Sequence, residues 1–396
     1  MPPGERALVG ERIAYYRKLR KLTQRDAADL AFMSYSLWTK VEQGHMVPSK
    51  AFLASAARVL QISVSELNGQ PYYAELEIDE IDSLVQGVRD ALDGYDLGPD
   101  DRVRPRETLV LHAEAEDLCA QVRKTNIKSV AVRLPDLINE ATTAAYLTPD
   151  SALWKILASL YRTAYDVTSK LGFSDLSMVA LDRMQWTAER ASDPVLAATR
   201  QYYRTLAYTR SGRMDTSRLL IASGIELAAG APAGRERDVV YGQLHLGAAV
   251  VAARSKDGDL ALEYLAEASR IASETGPAET VHWLSFGPAN CGVHKVSVLT
   301  DLERYSEAVA EARGLAIPSG WAVSRHAAHV TEVAQAQLMI GRDDAALRNL
   351  SQARQLAPQQ TRYSPGLRAT LGVLVKQQRT PTRELAGLAK WAGVGI

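Results

Sequence analysis

The 396-residue chain has no net charge to spend, since 46 Lys/Arg balance 46 Asp/Glu. That balance excludes a polybasic nucleic-acid coat and an acidic disordered tail, but it leaves room for a local basic patch. Cysteine is scarce: Cys119 and Cys291 stand far apart and form no C-x-x-C. Neither a disulfide framework nor a thiolate metal site is expected, and both read as reduced core thiols. No run approaches the ~18 apolar residues of a membrane span. The first residues, Met1-Pro2-Pro3-Gly4-Glu5-Arg6, lack the apolar core of a signal peptide. A soluble, cytoplasmic protein with no membrane partner is expected. Missing too are G-x-S-x-G, the phosphate-binding G-x-x-x-x-G-K-S/T, H-E-x-x-H and a dinucleotide glycine fingerprint. The expectation is no catalysis and no cofactor.

Strand signals are also thin. Phe totals 4, and no long stretch alternates apolar with polar residues. Apolar residues recur at helical spacing instead, as in Leu244, Leu246, Val250 and Val251, or Leu347, Leu350 and Leu356. Gly172, Gly212, Gly258, Pro318, Gly341 and Pro358 fall between such segments. The pattern predicts an all-α protein.

Charge divides the chain into three. Residues 1–70 hold ten Lys/Arg against six Asp/Glu, whereas 71–101 hold ten acids against the single base Arg89. This predicts a small basic unit over 1–70, an acidic connector over 71–104 and a large neutral helical body over 105–396. Pro71, Gly94, Gly98-Pro99 and Pro105 punctuate the connector, which limits its helix to about Ala74–Leu92 and suits a solvated joint.

Within the basic unit, Glu11–Arg20 forms an amphipathic helix with Ile13, Tyr16 and Leu19 on one face. Thr23 caps a short second helix, and Ser34 caps a third that runs to Gln43 and stops at Gly44. Helices after Pro48-Ser49 and over Ser63–Leu67 complete a set of five. Leu22-Thr23-Gln24, Ala28, Ser34, Val41-Glu42-x-Gly44, Pro48-Ser49 and Ser65-x-Leu67 resemble the Cro/repressor-like (XRE) helix-turn-helix family over residues 9–69. Two positions depart from it. Phe32 stands in the turn where relatives often have Gly, and Trp38 replaces a smaller aliphatic as a core anchor.

The resemblance implies that the third helix enters the major groove of an operator while the second crosses the backbone. Ser34, Tyr35, Ser36, Thr39 and Lys40 then face outward, with Tyr35, Ser36 and Thr39 as candidates for base edges. Gln24 reaches a phosphate or buttresses the reading helix, and Lys40, Arg17 and Lys50 are candidate phosphate contacts. So few cations on the reading face imply weak binding by one copy, hence a homodimer on a two-fold site.

In the body, Gly341-Arg-Asp-Asp-Ala-Ala346-Leu-x-x-Leu350-x-x-Ala353-x-x-Leu356-x-Pro358 resembles the second half of a tetratricopeptide repeat. Partial matches begin near Gly172, Gly212, Gly258 and Arg304, at a spacing nearer forty residues than the usual ~34. The whole chain resembles actinobacterial XRE-family regulators with a C-terminal tetratricopeptide-like domain. The marks are Leu157-Ala158-x-Leu160-Tyr161-Arg162-x-Ala164-Tyr165 and Phe286-Gly287-Pro288-x-Asn290-x-x-x-His294. A superhelix of such repeats has a concave side suited to a peptide or small-molecule effector.

Candidate ligand residues are weighed against ordinary structural roles. Asn290 and His294 lie one turn apart and either meet a ligand or satisfy hydrogen bonds between helices. Trp154, Tyr161 and Tyr165 form an aromatic stripe that is either core or the apolar wall of a groove. Arg162 and Arg204 are then candidates for a ligand carboxylate. His326 and His329 lack a third partner for a metal, so none is expected. The favoured expectation is a dimeric regulator reading double-stranded DNA and sensing an effector. A protein-interaction adaptor and a ligand-independent dimeric DNA-binding protein are the alternatives.

Overall fold

The computed structural model describes residues 7–69, 78–148, 150–378 and 380–395; Pro71 and the first part of the connector lie outside them. The chain is helical throughout these residues, and the one β pairing among them is an isolated bridge between Ala278 and Phe286. No described helix is long and apolar enough to cross a membrane.

The N-terminal head consists of α1 (Val9–Leu19), α2 (Gln24–Leu30), α3 (Tyr35–Glu42), α4 (Lys50–Leu60) and α5 (Val64–Asn68). Its boundaries follow from capping chemistry. Side chains of Thr23, Ser34, Ser49 and Ser63 accept hydrogen bonds from the backbone N–H groups of Asp26, Leu37, Phe52 and Glu66. Each cap is worth about 1 kcal/mol. Ile13, Ala27, Ala28, Trp38, Val41, Phe52, Ala56, Leu60 and Leu67 close the core. Trp38 is fully buried with its ring 5.3 Å from that of Phe52, the anchor role expected of it. Phe32 takes the left-handed backbone (φ 55°) that glycine would adopt in the turn, and its ring is 87% exposed. The turn thus carries strain without any compensating burial.

A buried carboxylate ties the head together. Glu42 accepts from Arg17 Nε (2.6 Å) and Nη2 (3.0 Å), from Trp38 Nε1 (2.6 Å) and from Gln24 Nε2 (2.8 Å). Helices α1, α2 and α3 therefore meet on one side chain. Burial pushes this carboxyl up, but the three donors outweigh it and hold it below its ordinary 4.5.

The body begins earlier than the punctuation of the connector suggests. Helix α6 (Ile78–Asp93) places Val85, Val88 and Leu92 in the same core as α7 (Thr108–Arg123), α8 (Ile127–Leu147) and α9 (Ser151–Leu171). The Leu92 carbonyl accepts from Arg183 Nε at 2.9 Å. The acidic segment was expected to be a solvated joint; its helix is instead a packed layer, because its apolar stripe outweighs its surface charge.

Antiparallel hairpins follow: α9 with α10 (Ser174–Ala191), α11 (Pro194–Arg210) with α12 (Met214–Gly230), and α13 (Arg235–Arg254) with α14 (Gly258–Thr275). Then come α15 (Pro288–Asp301) with α16 (Tyr305–Gly314) and α17 (Val323–Met339) with α18 (Asp343–Leu356). Helices α19 (Pro358–Arg362), α20 (Pro365–Gln377) and α21 (Arg383–Trp391) close the end. Gly172, Gly212 and Gly341 occupy the expected turns with φ of 92°, 78° and 72°. Helices of up to 21 residues account for the long repeat spacing. The array curls until α17 touches α7, so the first helices of the hairpins surround an inner hollow.

Replacing Glu42 by Ala leaves the buried Arg17 without its carboxylate, which costs about 3–5 kcal/mol. Amide hydrogen exchange in α1, α2 and α3 as the chain is heated is expected to show that loss. Glu42's pairing stabilises fully above pH 4.5 and is lost as pH falls through its lowered value. An acid titration in which the E42A variant and the parent lose stability in parallel removes Glu42 as the cause.

Candidate DNA-reading face and effector cavity

Helix α3 presents Tyr35, Ser36 and Lys40 to solvent, with Tyr35 47% exposed. Ser34 is exposed as well, but its Oγ already accepts from Leu37 N–H as the cap. Thr39 is half-buried and turns Oγ1 inward without a hydrogen-bond partner. Opposite these, Trp38 and Val41 are buried, so the outward and inward faces alternate as the helix period requires. Arg25 sits over the Tyr35 ring at 5.4 Å, a cation on the rim that the sequence reading passed over.

Three expected phosphate contacts have other partners. Gln24 acts as the buttress, donating to Glu42 across α2 and α3. Arg17, expected to reach a phosphate, is buried and forked onto Glu42; Nη1 also donates to the Leu22 carbonyl (2.8 Å). A desolvated guanidinium whose three nitrogens all donate within the head is unavailable to DNA. Lys50 is correspondingly turned toward the body, where Nζ meets Glu332 (2.8 Å) and Asp301 (3.4 Å). Lys40 alone of the three predicted phosphate cations stays exposed.

The head-to-body contact extends around Lys50. Lys376 of α20 lies over Gly44 and donates to the Gln43 carbonyl (3.1 Å), Leu8 packs against Gly372, and Val47 joins the core of α17, α18, α20 and α21. Asp301 is buried; burial pushes its carboxyl up, and Arg254 (2.9 Å) with Lys50 holds it below its ordinary range. These contacts approach α4 and the C-terminal end of α3, and they leave the exposed N-terminal part of α3 clear.

Residues 8–68 match the model of a helix-turn-helix domain family. Over 63 residues the chain is 40% identical to the uncharacterized HTH-type transcriptional regulator YazB of Bacillus subtilis, covering 16% of this chain and 91% of that protein. The chain belongs to the helix-turn-helix transcriptional regulators. No solved structure matches it.

In this regulator the predicted ligand residues are mostly core. Trp154 packs edge-on against Trp186 (5.2 Å) and Tyr146 (6.0 Å). Tyr161 and Tyr165 are buried, Tyr165 against Tyr203 (5.2 Å). Asn290 is fully buried, donating to Gln243 Oε1 (3.1 Å) and accepting from Arg325 Nη2 (2.8 Å). Gln243 passes the chain on to the Tyr202 hydroxyl (2.7 Å), and His294 Nε2 lies 3.1 Å from the same Arg325 nitrogen. Asn290 and His294 therefore take the interhelix role and are not free to bind. Arg204 is half-buried beside Gln201 (3.2 Å) and Tyr208. No group of three or more His, Cys, Asp or Glu among the described residues could hold a metal.

Arg162 is the exception, because it lines a cavity of about 650 Å³ between α7, α9, α11 and α13. A strap over residues 276–287 lines one side of it through Thr280, Val281, His282 and Trp283. Within it His282, Trp283 and Ser285 all hold positive φ, a concentration of strain typical of functional segments. The strap is pinned by Trp283 Nε1–H to Glu116 (3.2 Å), by His282 to Glu236 (2.7 Å) and by Arg235 to the Pro277 carbonyl (2.8 Å). Lys155 pairs with Asp193 (2.7 Å) on the wall. These polar groups come from segments up to 167 residues apart. No local motif marks them, and the sequence reading missed them.

Substituting Lys50 by Ala removes the head cation that meets Asp301 and Glu332. Amide hydrogen exchange along Lys50–Leu60 is expected to quicken severalfold while exchange in α1–α3 holds steady. Exchange as slow as in the parent means the ion pairs do not fasten the head.

Proposed function

We propose that this chain is a sequence-specific transcriptional regulator that acts as a homodimer on a double-stranded DNA operator in the cytoplasm, with no catalytic role and no cofactor. The observation that carries this reading is the exposed polar face of α3, with Tyr35, Ser36 and Lys40 outward on a helix whose other face is locked in the core. Ser34 and Thr39 flank that face. Arg25 joins Lys40 as a cation at its edge. One head with so few cations holds DNA weakly, and two heads on a two-fold-related site supply the missing phosphate contacts.

The helical body, with its tetratricopeptide-like hairpins, is the dimerising and sensing part in this proposal. Its cavity under the 276–287 strap takes the effector, a small molecule or the end of a peptide, and Arg162 faces it. Any effector moves the heads only as far as it binds one arrangement of the body better than another. The Lys50 junction is the place where such a change reaches α4 and α3.

Fluorescence anisotropy with DNA from upstream of the protein's own gene, at several salt concentrations and beside an unrelated duplex, tests the reading. Preferential and salt-sensitive binding is expected. Replacing Tyr35 by Ala weakens it by about 1–3 kcal/mol if the ring meets a base, whereas Lys40→Ala lowers the salt slope by about 1 through a lost phosphate contact. Unchanged affinity in both variants, with helical content intact, removes α3 as the reading helix.

A further inference from the structure

The inner helices of the body converge on a set of cations that the protein itself does not neutralise. Arg162, Asp166 and Lys170 succeed one another at four-residue intervals and share one face of α9. Arg162 donates to Cys119 Sγ (2.7 Å) and to Asp166 (3.1 Å). Arg123 lies one turn beyond Cys119 on the same face of α7. From α11, Arg210 donates to Ser169 Oγ (2.9 Å) and to the Tyr165 hydroxyl (3.2 Å), which sets it beside Lys170. From α17, which meets α7, comes Arg325, oriented by Asn290 and His294. Burial and the neighbouring cations hold His294 neutral, as an acceptor toward Arg325.

Five cations thus share one carboxylate. Among the described residues the single ion pair that any of the five makes is Arg162 with Asp166. The Nε atoms of Arg123 and Arg325 are buried and have no hydrogen-bond partner. Burial and repulsion from Arg123, Arg210 and Arg325 outweigh Asp166 and push the Lys170 ammonium down to about 8. Elsewhere the molecule matches buried charge with charge, as at Arg17 with Glu42 and Arg254 with Asp301. The cluster is also accessible, since Arg123, Lys170 and Arg325 are only half-buried and Arg210 is exposed. Like charges held together around an accessible hollow are unfavourable unless an anion joins them.

We propose that this hollow binds a small polyanion, a compound carrying two or more carboxylate or phosphate groups, between Arg123, Lys170, Arg210 and Arg325. Guanidinium forks suit the planar or tetrahedral oxyanion, and Lys170 adds a point charge. Arg162 belongs both to this cluster and to the wall of the 650 Å³ cavity, so the remainder of such a ligand has room beside its charged end. The inference deepens the effector-sensing reading and rests on it for its consequence. The binding itself is measurable with no DNA present.

Isothermal titration of the full chain at pH 7 with inorganic pyrophosphate and, separately, with citrate tests the site, using sodium chloride at matched ionic strength as the blank. Saturable binding of at least one is expected, and which of the two binds assigns the phosphate or the carboxylate class. Lys170→Gln and the exposed Arg210→Gln should each weaken it at least fivefold. Arg218→Gln, an exposed cation on α12 outside the hollow, should leave it unchanged, and circular dichroism checks that each variant is folded. Absence of binding above the chloride blank overturns the proposal, as does binding by folded R210Q and K170Q as tight as by the parent. Operator binding measured on the same proteins separates the two readings: a chain that binds DNA and no polyanion keeps the regulator and loses this site.

Discussion

Asp301 lies where the two parts of the chain meet, and a carboxylate taken out of water there has to be answered by cations. One comes from within the body, Arg254 at 2.9 Å, and the other from the head, Lys50 at 3.4 Å. Because Lys50 also reaches Glu332 of α17, one side chain joins α4 of the head to two successive layers of the array. The placement of α3 relative to the body therefore depends on this charge balance together with the apolar contacts of Leu8 and Val47.

The same physical rule operates inside the head. Glu42 collects Arg17, Gln24 and Trp38 so that α1, α2 and α3 share one acceptor group. This leaves the outward side of α3 free of structural duties, apart from Ser34 as cap and Thr39 turned inward. The division of labour is sharp: buried polar residues hold the helix, and Tyr35, Ser36 and Lys40 stay exposed. The inner hollow of the body breaks the rule, and the departure there points to a missing partner.

The body supplies what the small head lacks. A five-helix unit of some sixty residues carries little core, whereas the array joins hairpin to hairpin through continuous clusters of Leu, Ala, Tyr and Val. Small residues permit the close approaches. At Gly242 a Cβ would come within 2.2 Å of the Phe286 ring, so that glycine lets the root of the strap lie directly on α13. Phe286, Gly287 and Pro288 thereby do more than bend the chain, because they fix the exit of a strained strap whose tip reaches α7.

The sequence by itself determined the helical class, the five helices of the head with their Thr and Ser caps, the core role of Trp38 and the turns at Gly172, Gly212 and Gly341. Each of these depends on contacts within a few residues, which composition and period record directly. Only the tertiary structure decided which cations remain free. Arg17 and Lys50 look as free as Lys40 in sequence, and their pairing with Glu42, Asp301 and Glu332 spans 25 to 282 residues. It likewise decided that the acidic helix α6 packs, that Asn290 and His294 serve Arg325, and that five cations converge on one hollow. Hydrogen bonds and charges act over a few ångströms of space, and the distance along the chain between such groups carries no trace of that proximity.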